Sequence, residues 1–178
     1  MTGDLVSLSA RAVRDLLKDR QVTPLELLEA LETRIAEVNG PVNALPTLCF
    51  ERARARALEQ DFSTLPLAGI PIVIKDLLTV SGVRTTFGSM AYRDHVPKAS
   101  DLLVERIEAA GGIVYAKSNT PEFGAGANTF NDVFGFTRNP WNTALSAAGS
   151  SGGSAVALAT GMAWLATGSD LGGSLRNP

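Results

Sequence analysis

A continuous run of apolar, mostly β-branched residues, IPIVI at residues 70–74, is the feature that most constrains the fold of this 178-residue chain. A run of this kind, without polar alternation, is typical of a strand that is covered on both faces. A helix pattern follows from Ser100-Asp101 to Gly111-Gly112, and a second buried strand, IVYA, is predicted at residues 113–116. Strand, helix and strand in this order predict the α/β class.

The first sixty residues carry amphipathic helix patterns. The sequence TPLE at residues 23–26 combines an N-cap, a proline in the first turn and a capping-box glutamate, and apolar residues then recur at helical spacing until Asn39-Gly40. Two more helices are predicted over about residues 9–20 and 50–60. Residues 1–62 are therefore predicted to be mainly helical and residues 67–178 to be α/β, with an ordered loop region at residues 119–146.

Composition excludes several classes of function. A formal net charge of −2 without runs of like charge gives no reason to expect a nucleic-acid or membrane-surface partner. One cysteine and one histidine leave too few ligands for a metal site, and no glycine-rich stretch ends in the Gly-Lys-Ser/Thr of a phosphate-binding loop. The N-terminus lacks a secretory pattern and residues 155–167 are too few to span a membrane, so we expect a cytoplasmic protein.

Two serine- and glycine-rich turns, AGSSGGS at residues 148–154 and SDLGGS at residues 169–174, enclose one short apolar unit. A helix over about residues 152–160 would rise about 14 Å, and a strand over about residues 162–167 would return about 20 Å. The two turns can therefore meet at one end of the sheet, where sites are built in α/β folds. Lys75 follows its predicted strand into the same crevice. Consecutive amides at residues 171–174 can converge on a developing oxyanion.

A serine nucleophile in these turns needs a base. The only histidine, His95, lies in a polar segment that is typical of a surface loop. A buried lysine can act as a base because burial disfavours its ammonium form and lowers its pKa. Lys75 and Lys117 both end predicted strands, and the residues alone favour Lys75 but leave both open.

Five stretches, in order along the chain, resemble the amidase signature family of serine hydrolases. They are GIPIVIKD at residues 69–76, KSNTPEF at 117–123, NPW at 139–141, GSSGGS at 149–154 and GSDLGGSLR at 168–176. The resemblance implies a mixed central β-sheet flanked by helices. It also implies hydrolysis of a small-molecule carboxylic amide through an acyl-enzyme, without metal or cofactor.

The resemblance also implies roles for particular residues. Ser174 would be the nucleophile, Ser150 would relay the proton through a turn that contains a cis peptide bond, and Lys75 would be the base. The acyl site and oxyanion hole would be lined by Leu171, Gly172, Gly173 and Gly124. From their spacing, Asp170 and Arg176 are expected to pair and brace the second turn, and we interpret Trp141 and Trp164 as packing residues.

Members of the family continue far beyond the motif that ends at Arg176. We therefore expect residues 1–178 to be the N-terminal part of a single catalytic domain, with a sheet that is incomplete at its C-terminal side. Such a chain is expected to form homo-oligomers or to depend on a complementary segment, because an incomplete sheet exposes an apolar edge.

Three other interpretations stay open. The amidase subunit of an aminoacyl-tRNA amidotransferase resembles the same motifs but passes ammonia to a partner site. A catalytically silent fragment is the second. The third is an α/β-hydrolase in which GSSGG at residues 149–153 is a nucleophile elbow and Ser151 the nucleophile, although no histidine follows it as that fold requires.

Overall fold

The computed structural model describes residues 5–178. Its α-helices are α1 (Ala10–Lys18), α2 (Pro24–Val42), α3 (Phe50–Ala57), α4 (Leu102–Ala109) and α5 (Gly152–Ala159). Its strands are β1 (Thr47–Leu48), β2 (Pro71–Lys75), β3 (Ile113–Ser118), β4 (Phe130–Asn131), β5 (Gly135–Phe136), β6 (Arg138–Asn139), β7 (Asn142–Ser146) and β8 (Leu165–Ala166). Short 3₁₀ turns lie at Met90–Tyr92 and Glu122–Gly124.

Four of these strands form the central sheet, in the order β1-β3-β2-β8. The strand β2 lies in the middle, parallel to both β3 and β8, whereas β1 pairs with β3 in the antiparallel direction. The sheet is therefore mixed, as the family resemblance implies. The strands β2 and β3 are buried along their whole length, as expected for strands covered on both faces.

Two apolar clusters cover the two faces of this sheet. The larger cluster contains the apolar sides of α1, α2, α3 and α5 together with Val73 and Tyr115. The smaller cluster contains Ile72 and Ile74 with Val104 from α4. Side chains at successive positions of β2 thus point to opposite faces, which is the usual alternation along a strand.

A bulge between β2 and β3 changes the faces to which the end of β3 points. Ile72 pairs with Val114 but Val73 pairs with Ala116, so Tyr115 is the extra residue in β3. Beyond the bulge, Lys117 pairs with Ile74 on the face of the smaller cluster, and Ser118 is the partner of Lys75. An extra residue of this kind redirects the side chains that follow it.

The predicted helices are present, and their ends differ in detail. The capping box at the start of α2 forms as expected, with reciprocal bonds between Thr23 and Glu26. However, α2 continues through Gly40 and Pro41 to Val42. It ends where Asn43 adopts a left-handed conformation and its side chain donates to the carbonyls of Phe134 and Phe136. These partners lie some ninety residues away, so local sequence could not predict this end.

Three other expectations need correction. The strand predicted over residues 162–167 is paired only at Leu165–Ala166. The loop region 119–146 contains two short hairpins, β4-β5 and β6-β7. Trp164 is buried as predicted, but the interpretation of Trp141 as a packing residue is wrong, because 80% of its surface is exposed.

Candidate active site

Lys75 lies at the C-terminal end of β2, with its side chain buried among hydroxyl groups. Its Nζ atom donates to the Oγ atoms of Ser150 at 2.8 Å, Ser151 at 2.9 Å and Ser169 at 3.0 Å. Its backbone N–H donates to Thr167 Oγ1 at 2.8 Å, so the end of β2 is held by the segment that follows β8. The two serine-rich turns therefore meet at Lys75, as the lengths of α5 and the returning strand predicted.

The environment of Lys75 lowers the pKa of its side chain. Lys75 is 1% exposed, and burial lowers its pKa from 10.5 to about 8. Within residues 5–178, no carboxylate forms an ion pair with its Nζ atom, so no opposite charge offsets the cost of burying the ammonium form. A large fraction of Lys75 is thus a neutral amine slightly above neutral pH.

Lys117, the other lysine at a strand end, has a different environment. Its Nζ atom forms an ion pair with Asp76 at 2.7 Å and also donates to Thr85 Oγ1 and the Leu78 carbonyl. Because of the bulge in β3, it lies on the opposite face of the sheet from Lys75. All three of its donor positions are occupied by acceptors, one of them a carboxylate, so Lys117 is suited to a structural ion pair.

The first serine turn lies against the N-terminus of α5. The Gly149–Ser150 peptide bond is cis, as the family resemblance implies. Ser150 and Ser151 are both buried, and the Ser150 carbonyl accepts a hydrogen bond from Thr120 Oγ1 at 3.2 Å. Ser151 also contacts the second turn, where its Oγ atom accepts a bond from the Ser169 N–H at 3.3 Å. Both hydroxyls therefore face Lys75 from one short segment.

The second serine turn contains Ser174, which reaches the first turn through its backbone. The Ser174 carbonyl accepts a hydrogen bond from the Ser151 N–H at 3.2 Å. Within the described part of the chain, the Ser174 hydroxyl forms no hydrogen bond with Ser150 or Lys75. Of the three predicted residues, Lys75 at the end of β2 and Ser150 in the first turn are thus in direct contact, and Ser174 lies in the neighbouring turn.

An ion pair braces this second turn, as the spacing of Asp170 and Arg176 predicted. Arg176 contacts both carboxylate oxygens of Asp170, at 2.9 and 3.0 Å. The same carboxylate accepts the N–H groups of Gly173 at 2.7 Å and Leu175 at 3.1 Å. The Arg176 guanidinium and these two N–H groups hold the pKa of Asp170 well below its usual range, so the brace stays ionised.

The predicted oxyanion donors differ in what their amides do. The Gly173 N–H is bonded to Asp170, whereas in the structure of residues 5–178 the N–H groups of Leu171 and Gly172 have no acceptor. Leu171 is fully exposed. Gly124 has φ +69° and lies against Leu77, two residues after Lys75. The Leu171 and Gly172 amides, at the exposed tip of the turn, are thus free within residues 5–178.

His95 is away from this cluster, on the surface. It is exposed and packs against the rings of Phe87 and Tyr92, as expected for a loop histidine. Burial raises the pKa of Cys49 to about 11, so its thiol is poorly reactive. Among residues 5–178, no three His, Cys, Asp or Glu side chains are placed to hold a metal ion. None of the helices in that range is long and apolar enough to cross a membrane.

Comparison with known proteins identifies the family of this chain. The model of a family described as Amidase matches residues 26–178. The chain belongs to the amidase signature family. It is 42% identical over 98% of its length to a glutamyl-tRNA(Gln) amidotransferase subunit of Roseiflexus sp. (strain RS-1), of which it covers 37%.

Solved structures of named hydrolases share the fold of this amidase signature chain. A fatty acid amide hydrolase superimposes with a TM-score of 0.91 at 25% identity, over 99% of this chain and 32% of that one. A 6-aminohexanoate cyclic dimer hydrolase superimposes with a TM-score of 0.88 at 33% identity, over 96% and 35%. The chain spans about a third of the length of these relatives.

Two residues that contact this cluster were not identified from the sequence. Ser169 is the third hydroxyl on Lys75, and Thr129 contacts the first serine turn from the β4 side. Ser169 could have been found, since it lies in the quoted motif five residues before Ser174. Thr129 could not, because nothing in a region without periodicity indicates which side chain contacts a turn some twenty residues further on.

Proposed function

We propose that this chain carries the reactive centre of an amidase that hydrolyses a carboxylic amide, with Ser174 as nucleophile, Ser150 as proton relay and Lys75 as base. The observation that carries the proposal is the buried Lys75 Nζ atom, which is 2.8 Å from Ser150 Oγ and has only hydroxyl partners. A lysine without a carboxylate, with a pKa of about 8, can both accept and return a proton near neutral pH.

The reaction would proceed by proton transfer along these three side chains. Neutral Lys75 takes the proton of Ser150, which takes the proton of Ser174 while Ser174 Oγ forms a bond to the amide carbonyl carbon. The C–N bond then breaks as Ser150 protonates the leaving nitrogen and regains a proton from Lys75. Water attacks the resulting ester by the same proton path and releases the carboxylate and free Ser174.

This path requires the Ser174 hydroxyl to come within hydrogen-bond distance of Ser150 Oγ when substrate binds. The two turns are already joined by the bond between the Ser151 N–H and the Ser174 carbonyl. Catalytic hydrogen bonds often become short only in the substrate complex. The unpaired N–H groups of Leu171 and Gly172 are available to stabilise the oxyanion, and Gly124 would line the acyl site.

The test is intact-protein mass after exposure to a fluorophosphonate, which reacts with activated serines. We expect one adduct on the wild-type protein and none on Ser174→Ala or Lys75→Ala. The exposed residue Lys98 supplies a matched control, since Lys98→Ala removes a lysine from the surface and should label like wild type. A folded wild-type protein without an adduct would instead favour a catalytically silent chain.

The same experiment separates Ser174 from Ser151. Ser151 also accepts a bond from Lys75, at 2.9 Å, so its hydroxyl is a real competitor for the nucleophile. An adduct that persists in Ser174→Ala and disappears in Ser151→Ala would assign the nucleophile to the first turn. Peptide mapping of the wild-type adduct gives an independent answer.

A second candidate is the amidase subunit of an amidotransferase that acts on glutamyl-tRNA(Gln). It is favoured by the 42% identity, over 98% of this chain, to one subunit of such an enzyme. The test compares ammonia release from simple amides with amide transfer to glutamyl-tRNA(Gln), before and after removal of copurifying proteins. Transfer that requires a copurifying protein would favour the amidotransferase, and hydrolysis without one would favour the free-standing amidase.

A further inference from the structure

The side chain of Thr129 forms hydrogen bonds with both ends of the first serine turn. Its Oγ1 atom donates to the Ala148 carbonyl at 2.7 Å and accepts the Gly152 N–H at 3.1 Å. These two groups lie on either side of Gly149–Ser151, so a single hydroxyl sets the distance across the turn that contains Ser150. Thr129 itself is fully buried.

The backbone of the turn is fitted closely around this hydroxyl. A β-carbon added at Gly152 would lie 2.3 Å from Thr129 Oγ1, and one added at Gly149 would lie 3.0 Å from it. Either contact would displace Thr129 or the turn. Glycine at these two positions therefore permits a contact between the threonine and the backbone that any side chain would prevent.

Hydrogen bonds fix the position of Thr129 relative to the central sheet. Its carbonyl accepts the Thr137 N–H at 2.9 Å, which joins it to the segment between β5 and β6. Thr137 Oγ1 in turn donates to the Asn43 carbonyl at 2.7 Å and accepts Asn119 Nδ2 at 3.0 Å. These groups belong to the end of α2 and the end of β3, so Thr129 is connected to the scaffold of the sheet.

Ser150 depends on its backbone for its position. Within residues 5–178, the only hydrogen bond of its Oγ atom is the one from Lys75. A small shift of the turn would therefore change the distance from Ser150 Oγ to Lys75 Nζ and to Ser174 directly. The Thr120 bond to the Ser150 carbonyl fixes one point of the turn, and Thr129 fixes its width.

We propose that Thr129 is a positioning residue, whose hydroxyl holds Ser150 in the geometry needed for proton relay between Ser174 and Lys75. This inference rests on the proposed function above. Misplacement of a relay group by up to about 1 Å slows the chemical step by up to about 100-fold. Such a misplacement leaves reagent binding unchanged. Thr129 should therefore act on the rate of bond formation and not on affinity.

The test measures fluorophosphonate inactivation of the protein, expressed at its full length, as kinact and KI separately. Thr129→Val keeps the shape and removes the hydroxyl, and Thr129→Ser keeps the hydroxyl. Thr160→Val is the matched control, since within residues 5–178 the Thr160 hydroxyl bonds only to carbonyls of α5. We expect kinact to fall about 10- to 100-fold in Thr129→Val with KI unchanged, and Thr129→Ser to stay within about 3-fold of wild type.

The outcomes distinguish this inference from the proposed function. A wild-type protein that is not labelled overturns both. A labelled wild type with an equally fast Thr129→Val overturns only the role of Thr129. A loss of labelling in Thr129→Val that matches its loss of folded fraction, measured by thermal melting, also overturns it, because the hydroxyl would then serve folding alone. Slow labelling of a folded Thr129→Val, restored by Thr129→Ser, supports it.

Discussion

The Nζ atom of Lys75 lies 2.8 Å from the Oγ atom of Ser150, in a site where every side-chain partner of this lysine is a hydroxyl. Lys117, at the end of the adjacent strand, pairs instead with the Asp76 carboxylate. Two lysines that both end buried strands thus have different electrostatic surroundings. Lys75, which has no carboxylate partner, is available for proton transfer, and Lys117 forms a structural ion pair.

The rate of serine labelling should rise with pH through a midpoint of about 8. Burial lowers the pKa of Lys75 from 10.5 to about 8, so the neutral amine predominates above that pH and the ammonium below it. The measurement is the fluorophosphonate labelling rate between pH 6 and pH 10. Lys75→Arg should label slowly at every pH, because the guanidinium stays protonated.

Lys98→Arg is the control for this profile, since Lys98 is exposed whereas Lys75 is buried. It should reproduce the wild-type midpoint and rate. A midpoint near 10.5, or a Lys75→Arg variant with the wild-type profile, would contradict the assignment of Lys75 as the base.

Lys75→Met should abolish labelling and stabilise the fold at neutral pH. Burying the ammonium costs free energy, and burying a methionine of similar length does not. We therefore expect the substitution to raise the free energy of unfolding by about 1–3 kcal/mol at pH 7. Between pH 8 and 10.5 the unfolded chain binds more protons at this site than the folded one. The stability of the wild type should therefore rise over that range relative to Lys75→Met.

Urea unfolding of both proteins at pH 7 and pH 10 measures these differences. If Lys75→Met were less stable than the wild type at pH 7, the hydrogen bonds from Lys75 to the three hydroxyls would contribute more to stability than burial of the ammonium costs. If the difference in free energy of unfolding between the two proteins did not shrink at higher pH, the pKa of Lys75 would not be lowered.

The elements that sequence predicted well are those determined by local patterns. The capping box at Thr23, the buried run of β2 and the apolar start of β3 each depend on a few neighbouring residues, and each forms as expected. The meeting of the two serine turns at Lys75 was also predictable, because it needed only the lengths of a helix and a strand.

The details that sequence missed depend on distant contacts. The extra residue at Tyr115 appears only when β3 pairs with β2, yet it decides that Lys117 and Lys75 lie on opposite faces. The exposure of Trp141 depends likewise on which surface lies beside the β6-β7 hairpin. Thr129 contacts a turn about twenty residues later through one hydroxyl, and no periodic pattern in the sequence predicts such a contact.

Lys117→Met should strongly destabilise the fold. The substitution would leave the buried Asp76 carboxylate without its ammonium partner, which we expect to cost about 3–5 kcal/mol. Adding Asp76→Asn removes the unpaired charge and keeps an acceptor for Thr86, so the double variant should recover part of the loss. Urea unfolding of the two single variants and the double variant completes the cycle. Losses that simply add would contradict a direct pairing.

Asp170→Ala should slow labelling of Ser174 with little change in thermal stability. The Asp170 carboxylate holds the Gly173 and Leu175 amides on both sides of Ser174, so its loss frees the backbone that carries the nucleophile. We expect the labelling rate to fall up to about 100-fold, as for other groups that orient reacting atoms. Because this turn lies at an exposed edge of the structure, its loosening should leave the melting temperature of the core nearly unchanged.

Arg176→Ala separates the two parts of this brace. Its side chain is 74% exposed, so solvent screens its attraction for Asp170, whereas the two backbone bonds to the carboxylate would remain. Arg176→Ala should therefore slow labelling much less than Asp170→Ala, and high salt should narrow the gap between wild type and Arg176→Ala. An Arg176→Ala variant as slow as Asp170→Ala would instead mean that the ion pair, and not the backbone bonds, holds the turn around Ser174.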